Sequence, residues 1–437
     1  MKNRFDSLDK KFSQDTVLAD WLVPMNFALE KVRYSESTFG TLKMPMFILL
    51  GCLRQIKSHK SLRKFVQFLY SEDDEMSLLP PLARSTWSDA LASKKRKDIL
   101  RTAFTHLVSH ARNELVDRLQ TIDNLGQRAV FCADASYQTE STHYQAVYPN
   151  EKDAKGKKGT DNPKGHMLMT LYDLRHGIPL DAKTETESKG EMRVIKESLD
   201  AWITVKNSLW VVDRAFLDVR YWEEKNKKFN ITVVTRKKSN MTCIEETERT
   251  FDKNKVNEGV LSDKEVKLTA SNRVAKNAPL WRLIEFKNER GEIHTYLTND
   301  FDLEPGEIAF LYHRRWDEEK LFDNLKNDLV NNKAWSKNKN AIEQQMLFAL
   351  VTYILTKLFI EKQCNEQGIS GDKTQSGKHK KKQRDYKEKG GIYLRAYWAH
   401  LSKIPAQVWR FLDFNFCKKP SKRLYERRFR PIIEAYL

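Results

Sequence analysis

The segment Leu209-Trp-Val-Val-Asp-Arg-Ala-Phe216 carries the pattern that decides the fold. Its first four residues are all apolar, and three of them are β-branched or aromatic, which is typical of a strand buried on both faces. The apolar run stops at Asp213, and the residues from Leu217 to Lys227 have the spacing of a helix. The segment therefore predicts a buried strand that delivers an aspartate at its end.

An earlier segment, Arg128-Ala-Val-Phe-Cys-Ala-Asp134, repeats this design. It predicts a short apolar strand that ends at Asp134. An aspartate in such a place is either a turn residue or a metal ligand, and the local pattern does not distinguish the two. Two further strands are expected at 166–173 and 178–183, and a helix is expected at 191–202.

A third acidic residue lies in the segment Tyr312-His-Arg-Arg-Trp-Asp-Glu-Glu-Lys-Leu-Phe-Asp-Asn-Leu-Lys326. If this segment is one helix, Tyr312, Arg315, Glu319 and Lys326 fall within about 60° of one another. An apolar stripe runs beside them, formed by Leu311, Phe322, Leu325 and Leu329. A carboxylate with cations alongside suits a site that cuts phosphodiesters. A solvated helix with ion pairs presents the same face.

The spacing Tyr312-x2-Arg315-x3-Glu319-x6-Lys326 resembles the Tyr-Arg-Glu-Lys signature of the insertion-sequence-4 family of transposases. Members of that family are Asp-Asp-Glu enzymes. The Asp-Arg-Ala-Phe sequence that starts at Asp213 is similar to the second-aspartate motif of the same family.

This resemblance covers roughly residues 125–360. It implies an α/β fold, in which a ribonuclease-H-like catalytic domain is interrupted by a β-rich insertion at about 228–300. Strands are expected within the insertion at 229–235, 260–269, 280–286 and 293–298. A helical region would precede the catalytic domain and another would follow it.

The resemblance also implies a chemistry. Two Mg²⁺ ions, for which Mn²⁺ can substitute, would be held by three carboxylates: Asp134, Asp213 and Glu319. Three side chains would contact DNA phosphates: Tyr312, Arg315 and Lys326. The implied activity is cut-and-paste transposition, in which DNA strands are cut at terminal inverted repeats and joined to target DNA. A DNA hairpin at the transposon end and a dimer in the synaptic complex are part of the same expectation.

Two tryptophans are hypothetical stacking partners for a base flipped out beside the cut. Trp316 follows the signature arginine, and Trp281 lies on the predicted insertion hairpin. Packing in the core is the alternative for each of them.

The composition favours a polyanionic partner. The net charge is +18 and the isoelectric point is about 9.4, which point most simply to nucleic acid, while a membrane surface or plain solubility would explain the same charge. The family resemblance implies that the nucleic acid is double-stranded DNA. Five scattered cysteines without a CxxC pair exclude a disulfide scaffold or zinc ribbon. The first residues contain no apolar signal core, and the apolar run at 346–360 is too short and polar for a membrane span. We therefore expect a bacterial cytoplasmic protein that associates with the nucleoid and not with a membrane.

The first 124 residues are expected to form a helical DNA-binding region. Within it, Arg84–Leu91 reads as a helix capped by Ser85 or Thr86, with a basic far end at 92–97. This outline resembles a helix-turn-helix reader, although many helical hairpins share it. The hypothetical DNA-recognition residues are Arg84, Lys94, Lys95 and Arg96.

The predicted domain boundaries follow from these assignments. The catalytic domain spans 125–360, a basic linker spans 361–391, and a helical carboxyl-terminal region spans 392–437. A lysine-rich loop at 152–164 is expected to be exposed, and a long apolar helix at 341–361 is expected to close the catalytic core.

Two alternatives to a transposase remain open from the sequence. A nuclease or resolvase of the same fold would cut DNA without joining it. A repressor, or an inactive transposase-derived protein, would bind DNA without any effect of Mg²⁺ on the strands.

Overall fold

The structure is a computed structural model that describes residues 16–56, 62–69, 83–139, 165–185, 191–239, 241–269, 279–288, 290–315, 319, 321, 325, 329, 334–336 and 338–366. This part of the chain contains nine α-helices: α1 (Thr16–Glu30), α2 (Met44–Ile56), α3 (Leu62–Leu69), α4 (Arg84–Ala92), α5 (Lys94–Glu114), α6 (Glu191–Trp202), α7 (Val219–Phe229), α8 (Pro305–Arg314) and α9 (Lys339–Glu366). It also contains nine strands: β1 (Val130–Thr139), β2 (Gly165–Asp173), β3 (Ile178–Glu185), β4 (Leu209–Val212), β5 (Thr232–Arg236), β6 (Thr242–Glu248), β7 (Val260–Thr269), β8 (Leu280–Lys287) and β9 (Ile293–Thr298). Among the described helices, none has the length and apolar character to cross a membrane.

All nine strands belong to one sheet, in the order β3-β2-β1-β4-β5-β9-β8-β7-β6. In its centre, β1, β4 and β5 run parallel to one another. Antiparallel strands flank this centre on both sides. The four residues of β4 are all buried, as expected for a central parallel strand. The predicted mixed α/β class is therefore confirmed.

The first strand is longer than the sequence predicted. Asp134 lies in the middle of β1 and not at its end, so that expectation was wrong. The pairing of β1 with β4 reaches only Ala133 opposite Val212. The pairing of β1 with β2 continues to Thr139 opposite Gly165. The antiparallel partner therefore keeps β1 extended beyond the point where its parallel partner stops.

The strands predicted between residues 228 and 300 are present, and they extend the central sheet. Strand β6 was not predicted. A buried ion pair links β7 and β8: the Nη2 atom of Arg282 donates to Oδ2 of Asp263 at 2.6 Å. The Nη1 atom of Arg282 donates to the carbonyl oxygens of Asp300 and Leu303 at 3.0 and 2.7 Å. These bonds fix the loop that leads into α8.

The amino-terminal helices share a core with the carboxyl-terminal part of the described chain. Helix α9 packs against α1, α2 and α5, and the α1 side chain of Trp21 donates to the hydroxyl of Thr356 on α9 at 3.4 Å. Helix α2 approaches α9 closely at Gly51, where a Cβ atom would lie 2.4 Å from the ring of Phe348. Any larger side chain at this position would displace that ring.

The sequence predicted that the basic segment after residue 91 forms the end of the helix at 84–91. That prediction was wrong. Helix α4 ends at Ala92, and Ser93 caps a second helix by accepting a hydrogen bond from the backbone N–H of Arg96. The predicted capping role of Ser85 or Thr86 was also wrong, because α4 begins at Arg84 with Ala83 as its N-cap. The lysines at 94 and 95 consequently lie in the first turn of α5.

Helix α9 extends to Glu366, five residues past the predicted end. The lysine-rich loop at 152–164, the rest of the predicted linker after 366, and the predicted carboxyl-terminal region at 392–437 lie outside the described residues.

Candidate active site

Two aspartates meet because of the register between neighbouring parallel strands. Ala133 on β1 lies opposite Val212 on β4, so the next step along both strands places Asp134 beside Asp213. Asp213 follows the last residue of β4, as predicted, and its Oδ1 atom accepts a hydrogen bond from the backbone N–H of Ala215 at 2.8 Å. Oδ1 of Asp134 accepts one from the N–H of Ala135 at 2.7 Å. In both carboxylates, these bonds leave Oδ2 free to face another group.

The segment from Tyr312 to Lys326 does not form the one uninterrupted helix that the sequence predicted. Helix α8 begins with Pro305 and ends at Arg314. The backbone N–H of Arg315 donates to the carbonyl of Tyr312 at 3.1 Å, which closes a tight three-residue turn. Glu319 is described in helical conformation beyond this turn, whereas residues 316–318 lie outside the described part.

The guanidinium of Arg315 joins the three acidic residues. Its Nη2 atom lies 2.6 Å from Oε1 of Glu319 and 3.8 Å from Oδ2 of Asp213. Its Nη1 atom lies 4.0 Å from Oδ2 of Asp134. The Arg315 side chain is only 9% exposed, whereas the three carboxylates are 22–40% exposed, so water screens these charges in part. The structure thus brings Asp134, Asp213 and Glu319 together around one buried cation.

Negative charge is in excess at this cluster. Burial raises the pKa of the Asp134 carboxyl to about 6, and repulsion from Asp213 and Glu319 adds to that effect. The nearby Arg315 guanidinium acts in the opposite direction without cancelling it. A carboxyl whose pKa is raised by burial and like charges is a common feature of functional sites.

The donor set suits a divalent metal ion, but the side chains are not closed around one. Three carboxylates offer only hard oxygen ligands, which Mg²⁺ and Mn²⁺ prefer. Within the described part of the chain, no three acidic, histidine or cysteine side chains are grouped closely enough to hold a metal ion. The Arg315 guanidinium lies among the three carboxylates instead. The chemistry of these residues therefore suits such an ion, and binding of one between the three carboxylates would require this guanidinium to move.

Aromatic and basic side chains border the acidic cluster. The ring of Tyr312 lies 5.1 Å from the ring of Tyr296 on β9, and the Arg315 guanidinium lies 5.5 Å from the Tyr312 ring. Arg236 ends β5, one strand beyond Asp213, and donates from Nη2 to Nδ1 of His294 at 3.0 Å. Sequence reasoning did not assign Arg236 to the site. Its position as the last residue of a strand with a buried centre is the signal that could have identified it.

Of the two tryptophans considered as stacking partners, the structure describes only Trp281. Trp281 is fully buried, and its indole N–H donates to Oε1 of Glu223 on α7 at 2.8 Å. It therefore lies in the core in this structure, and no face of its ring is open to a base. Trp316 lies outside the described residues, as does Lys326.

Three of the four DNA-recognition candidates have accessible side chains. Arg84, Lys94 and Lys95 are exposed. Arg96 is buried, and its Nη2 atom donates to the carbonyl oxygens of Leu42 and Phe39 at 2.6 and 3.3 Å. Its observed contacts are therefore structural, because they tie α5 to the turn before α2.

Comparisons with known proteins find transposases among the relatives of this chain. The chain is 32% identical over 155 residues to "Putative transposase y4zB" of Sinorhizobium fredii, a match covering 34% of this chain and 42% of that protein. It is 26% identical over 165 residues to "Putative transposase for insertion sequence element IS4SA" of Synechocystis, covering 36% of this chain and 43% of that protein. The matches thus span less than half the length of either relative.

A solved structure, the cryo-EM structure of the piggyBac transposase synaptic complex with hairpin DNA, aligns with 99% of this chain and 85% of that chain. Its TM-score is 0.40 at 12% identity, which is too low to support a conclusion. The family model described as a transposase DDE domain matches residues 125–355, which include all three acidic residues of the cluster. Because this match covers more than half of the sequence, the chain belongs to the transposase DDE domain family.

Proposed function

We propose that this protein is a metal-dependent DNA transposase whose catalytic carboxylates are Asp134, Asp213 and Glu319. The observation that carries the proposal is the convergence of these three residues on the buried guanidinium of Arg315. They come from two strands and a later helical segment, far apart in sequence. A structural ion pair needs only one carboxylate. Three carboxylates around one guanidinium favour a site that binds additional cations, such as divalent metal ions.

The arrangement of the strands supports a ribonuclease-H-like catalytic unit. An antiparallel β1-β2-β3 unit continues into parallel β4 and β5, with Asp134 on β1 and Asp213 directly after the adjacent β4. Strands β6 to β9 separate Asp213 from Glu319, as an insertion would. Membership of the insertion-sequence-4 group is part of the proposal, and one relative is named for an insertion sequence element.

The metal ions are proposed to be two Mg²⁺ ions, for which Mn²⁺ can substitute. When bound, they would supply Lewis acid chemistry and an activated water or DNA 3′-hydroxyl. The carboxylates of Asp134, Asp213 and Glu319 would hold them. Arg315 would leave its pair with Glu319 and bind a DNA phosphate, a role that its planar fork suits.

The bordering residues have proposed roles in holding the DNA strand. Tyr312 would position the strand next to the carboxylates, and Lys326 would hold a further phosphate. Arg236 lies at the neighbouring strand end and could hold the phosphate on the other side of the cut. The net charge of +18 suits terminal repeats and target DNA as partners, with two copies in the synaptic complex.

Recognition of the transposon ends is assigned to the amino-terminal region, with the exposed Arg84, Lys94 and Lys95 as its basic face. These helices share a core with α9, so a variant lacking residues 1–124 would expose apolar surface. Substitutions of exposed lysines therefore test this role better than a truncation does.

The test is an assay of the purified protein on a plasmid that carries the element's own ends. With Mg²⁺ we expect cuts at those ends, and joined products when DNA with free 3′-hydroxyl ends is supplied. Asp213→Asn should abolish both. Glu224→Gln is the matched control, because that carboxylate is 71% exposed and outside the cluster.

The same assay separates the alternatives. Cutting without joining would indicate a nuclease or resolvase. Binding of the ends without any cutting in Mg²⁺ or Mn²⁺ would indicate a DNA-binding protein and would contradict the proposal.

A further inference from the structure

A buried hydroxyl lies directly across the sheet from Asp134. Thr170 on β2 pairs with Asp134 on β1 in the antiparallel register, so both side chains point to the same face of the sheet. Residues paired in this way have Cβ atoms about 5 Å apart. Thr170 is therefore the neighbour of this carboxylate on the side away from β4.

The hydroxyl of Thr170 has no hydrogen-bond partner among the described residues, although the residue is fully buried. On its other side, Thr170 pairs with Ala182 of β3, whose methyl group offers no acceptor. The buried threonines of α9 differ, because Thr352 and Thr356 each donate to the carbonyl four residues earlier at 2.7 Å. A threonine on a strand cannot make this bond to a carbonyl of its own segment, because the backbone carbonyls pair with neighbouring strands.

A buried hydroxyl without a partner is unfavourable, and native proteins rarely retain one without a use. The residue directly opposite Thr170 on β1 is Asp134, whose carboxylate is directed towards Ala135 and Arg315 in this structure. Carboxylates that ligate metal ions are in turn held by hydrogen bonds from neighbouring groups. Thr170 is placed to provide such a bond.

We propose that Thr170 is a positioning residue, whose hydroxyl donates to the Asp134 carboxylate when that carboxylate ligates a metal ion. The inference rests on the proposed metal-dependent function. The hydrogen bond holds one carboxylate oxygen and directs the other towards the metal. The hydroxyl then gains the partner that it lacks in the metal-free arrangement.

The test uses the full-length protein and Mn²⁺ alone, with free Mn²⁺ measured by electron paramagnetic resonance. Thr170→Val keeps the shape of the side chain and removes the hydroxyl. We expect its Mn²⁺ dissociation constant to rise about tenfold, which is typical when an outer-shell partner of a metal ligand is lost. Thr170→Ser, which keeps the hydroxyl, should restore affinity close to that of the wild type.

Thr235→Val is the matched control. Thr235 is also fully buried on a strand, and its hydroxyl also lacks a partner among the described residues. Its neighbour across the strand pair is Leu297, so its side chain lies on the opposite face of the sheet from Thr170. This variant should bind Mn²⁺ like the wild type, and thermal unfolding should show that all three variants are folded.

The outcomes separate this inference from the function on which it rests. If Asp134→Asn loses Mn²⁺ and Thr170→Val binds it like the wild type, the inference is wrong and the proposed function stands. If Thr170→Val and Thr235→Val weaken binding equally, the effect is structural and the inference is also wrong. If the wild type binds no Mn²⁺, both proposals fail.

Discussion

Two buried arginines, one on strand β8 and one just after helix α8, differ in how closely their partners surround them. Arg282, in the insertion, is 2% exposed; it donates to one carboxylate, that of Asp263, and to two backbone carbonyls, all within 3.1 Å. Arg315, at the acidic cluster, makes one short bond, to Glu319. Its other two carboxylates lie 3.8 and 4.0 Å away, too far for hydrogen bonds.

The difference indicates which of the two charges is fixed. Arg282 has a dedicated carboxylate, and either group alone would be a buried uncompensated charge. Arg315 is shared among three carboxylates, and its Nε atom has no partner among the described residues. Replacing a shared guanidinium by other cations costs less free energy, because the incoming cations neutralise the same carboxylates. We therefore interpret Arg282 as part of the scaffold and Arg315 as part of the working site.

The largest expected effect comes from the acidic cluster. Glu319→Gln keeps the size of the side chain and removes the charge of one of the three proposed metal ligands. We expect strand cutting and joining both to fall by about a thousandfold, since a correctly placed metal ion contributes several kcal/mol to such a reaction. Binding of the transposon end should remain near that of the wild type, because affinity depends mainly on backbone electrostatics. A plasmid cleavage assay and fluorescence anisotropy measure the two quantities.

A Glu319→Gln protein that cuts and joins at the normal rate would remove Glu319 from the metal site. The ion pair between Arg315 and Glu319 would then be an ordinary contact between residues four apart in sequence, like that between Arg193 and Glu197.

The second prediction compares the two arginines directly. Arg282→Met leaves the carboxylate of Asp263, which is 1% exposed, without its main partner. The free energy of unfolding should fall by about 3–5 kcal/mol. The guanidinium of Arg249, 3.7 Å from the same carboxylate, favours the lower end of this range. Arg315→Met should lose DNA cutting, with a smaller loss of stability in Mg²⁺ than Arg282→Met.

Urea unfolding of each variant measures these stabilities. Arg193→Met is the control for removing an arginine from an exposed pair, for which we expect at most about 0.5 kcal/mol. If Arg315→Met in Mg²⁺ costs as much stability as Arg282→Met, the distinction between scaffold and working arginine is wrong.

The sequence predicted eight of the nine described strands, and the position of Asp213 directly after one of them, because these follow from local patterns. The apolar run before Asp213 is a buried strand, and the alternation in the insertion predicted three of its strands closely. Strand β6 was missed because Thr242–Glu248 is mainly polar, with only Cys243 and Ile244 to suggest burial.

Interactions between distant strands could not be predicted in this way. The pairing of Thr170 with Asp134 and that of Arg236 with Tyr296 depend on register, which no local pattern contains. The end of α8 at Arg314 was missed for a different reason. Apolar residues continue at helical spacing through the buried Leu321, Leu325 and Leu329, so the pattern shows no break.

The third prediction concerns pH and the metal-free protein. The pKa of Asp134 is raised by burial, and by repulsion from Asp213 and Glu319, to about 6. Since an unfolded aspartate titrates near pH 3.9, the folded protein binds this proton more tightly than the unfolded chain does. The resulting stability is fully present below about pH 4 and is lost as the pH rises through about 6.

Asp134→Asn mimics the protonated carboxyl at every pH. In EDTA at about pH 7.5, its free energy of unfolding should exceed that of the wild type by up to about 3 kcal/mol, and the difference should vanish near pH 4. At Asp200, burial is outweighed by hydrogen bonds from Lys225 and Tyr221 and the pKa is lowered, so Asp200→Asn should show the opposite sign. Urea unfolding at several pH values measures both. Parallel curves for Asp134→Asn and the wild type would contradict the assignment.

The smallest expected effect concerns the exposed lysines of α5. Lys94 and Lys95 lie in its first turn, whereas the neighbouring Arg96 is buried and bonded to backbone carbonyls. Each phosphate contact contributes about 0.9 to the slope of log affinity against log salt. The double variant Lys94→Ala/Lys95→Ala should therefore lower that slope by about 2 on the transposon end, without loss of fold. The exposed pair Lys253 and Lys255, in the insertion, provides the control. Equal losses from both double variants, measured by fluorescence anisotropy, would mean that the amino-terminal lysines contribute only general positive charge, and that recognition depends on other residues.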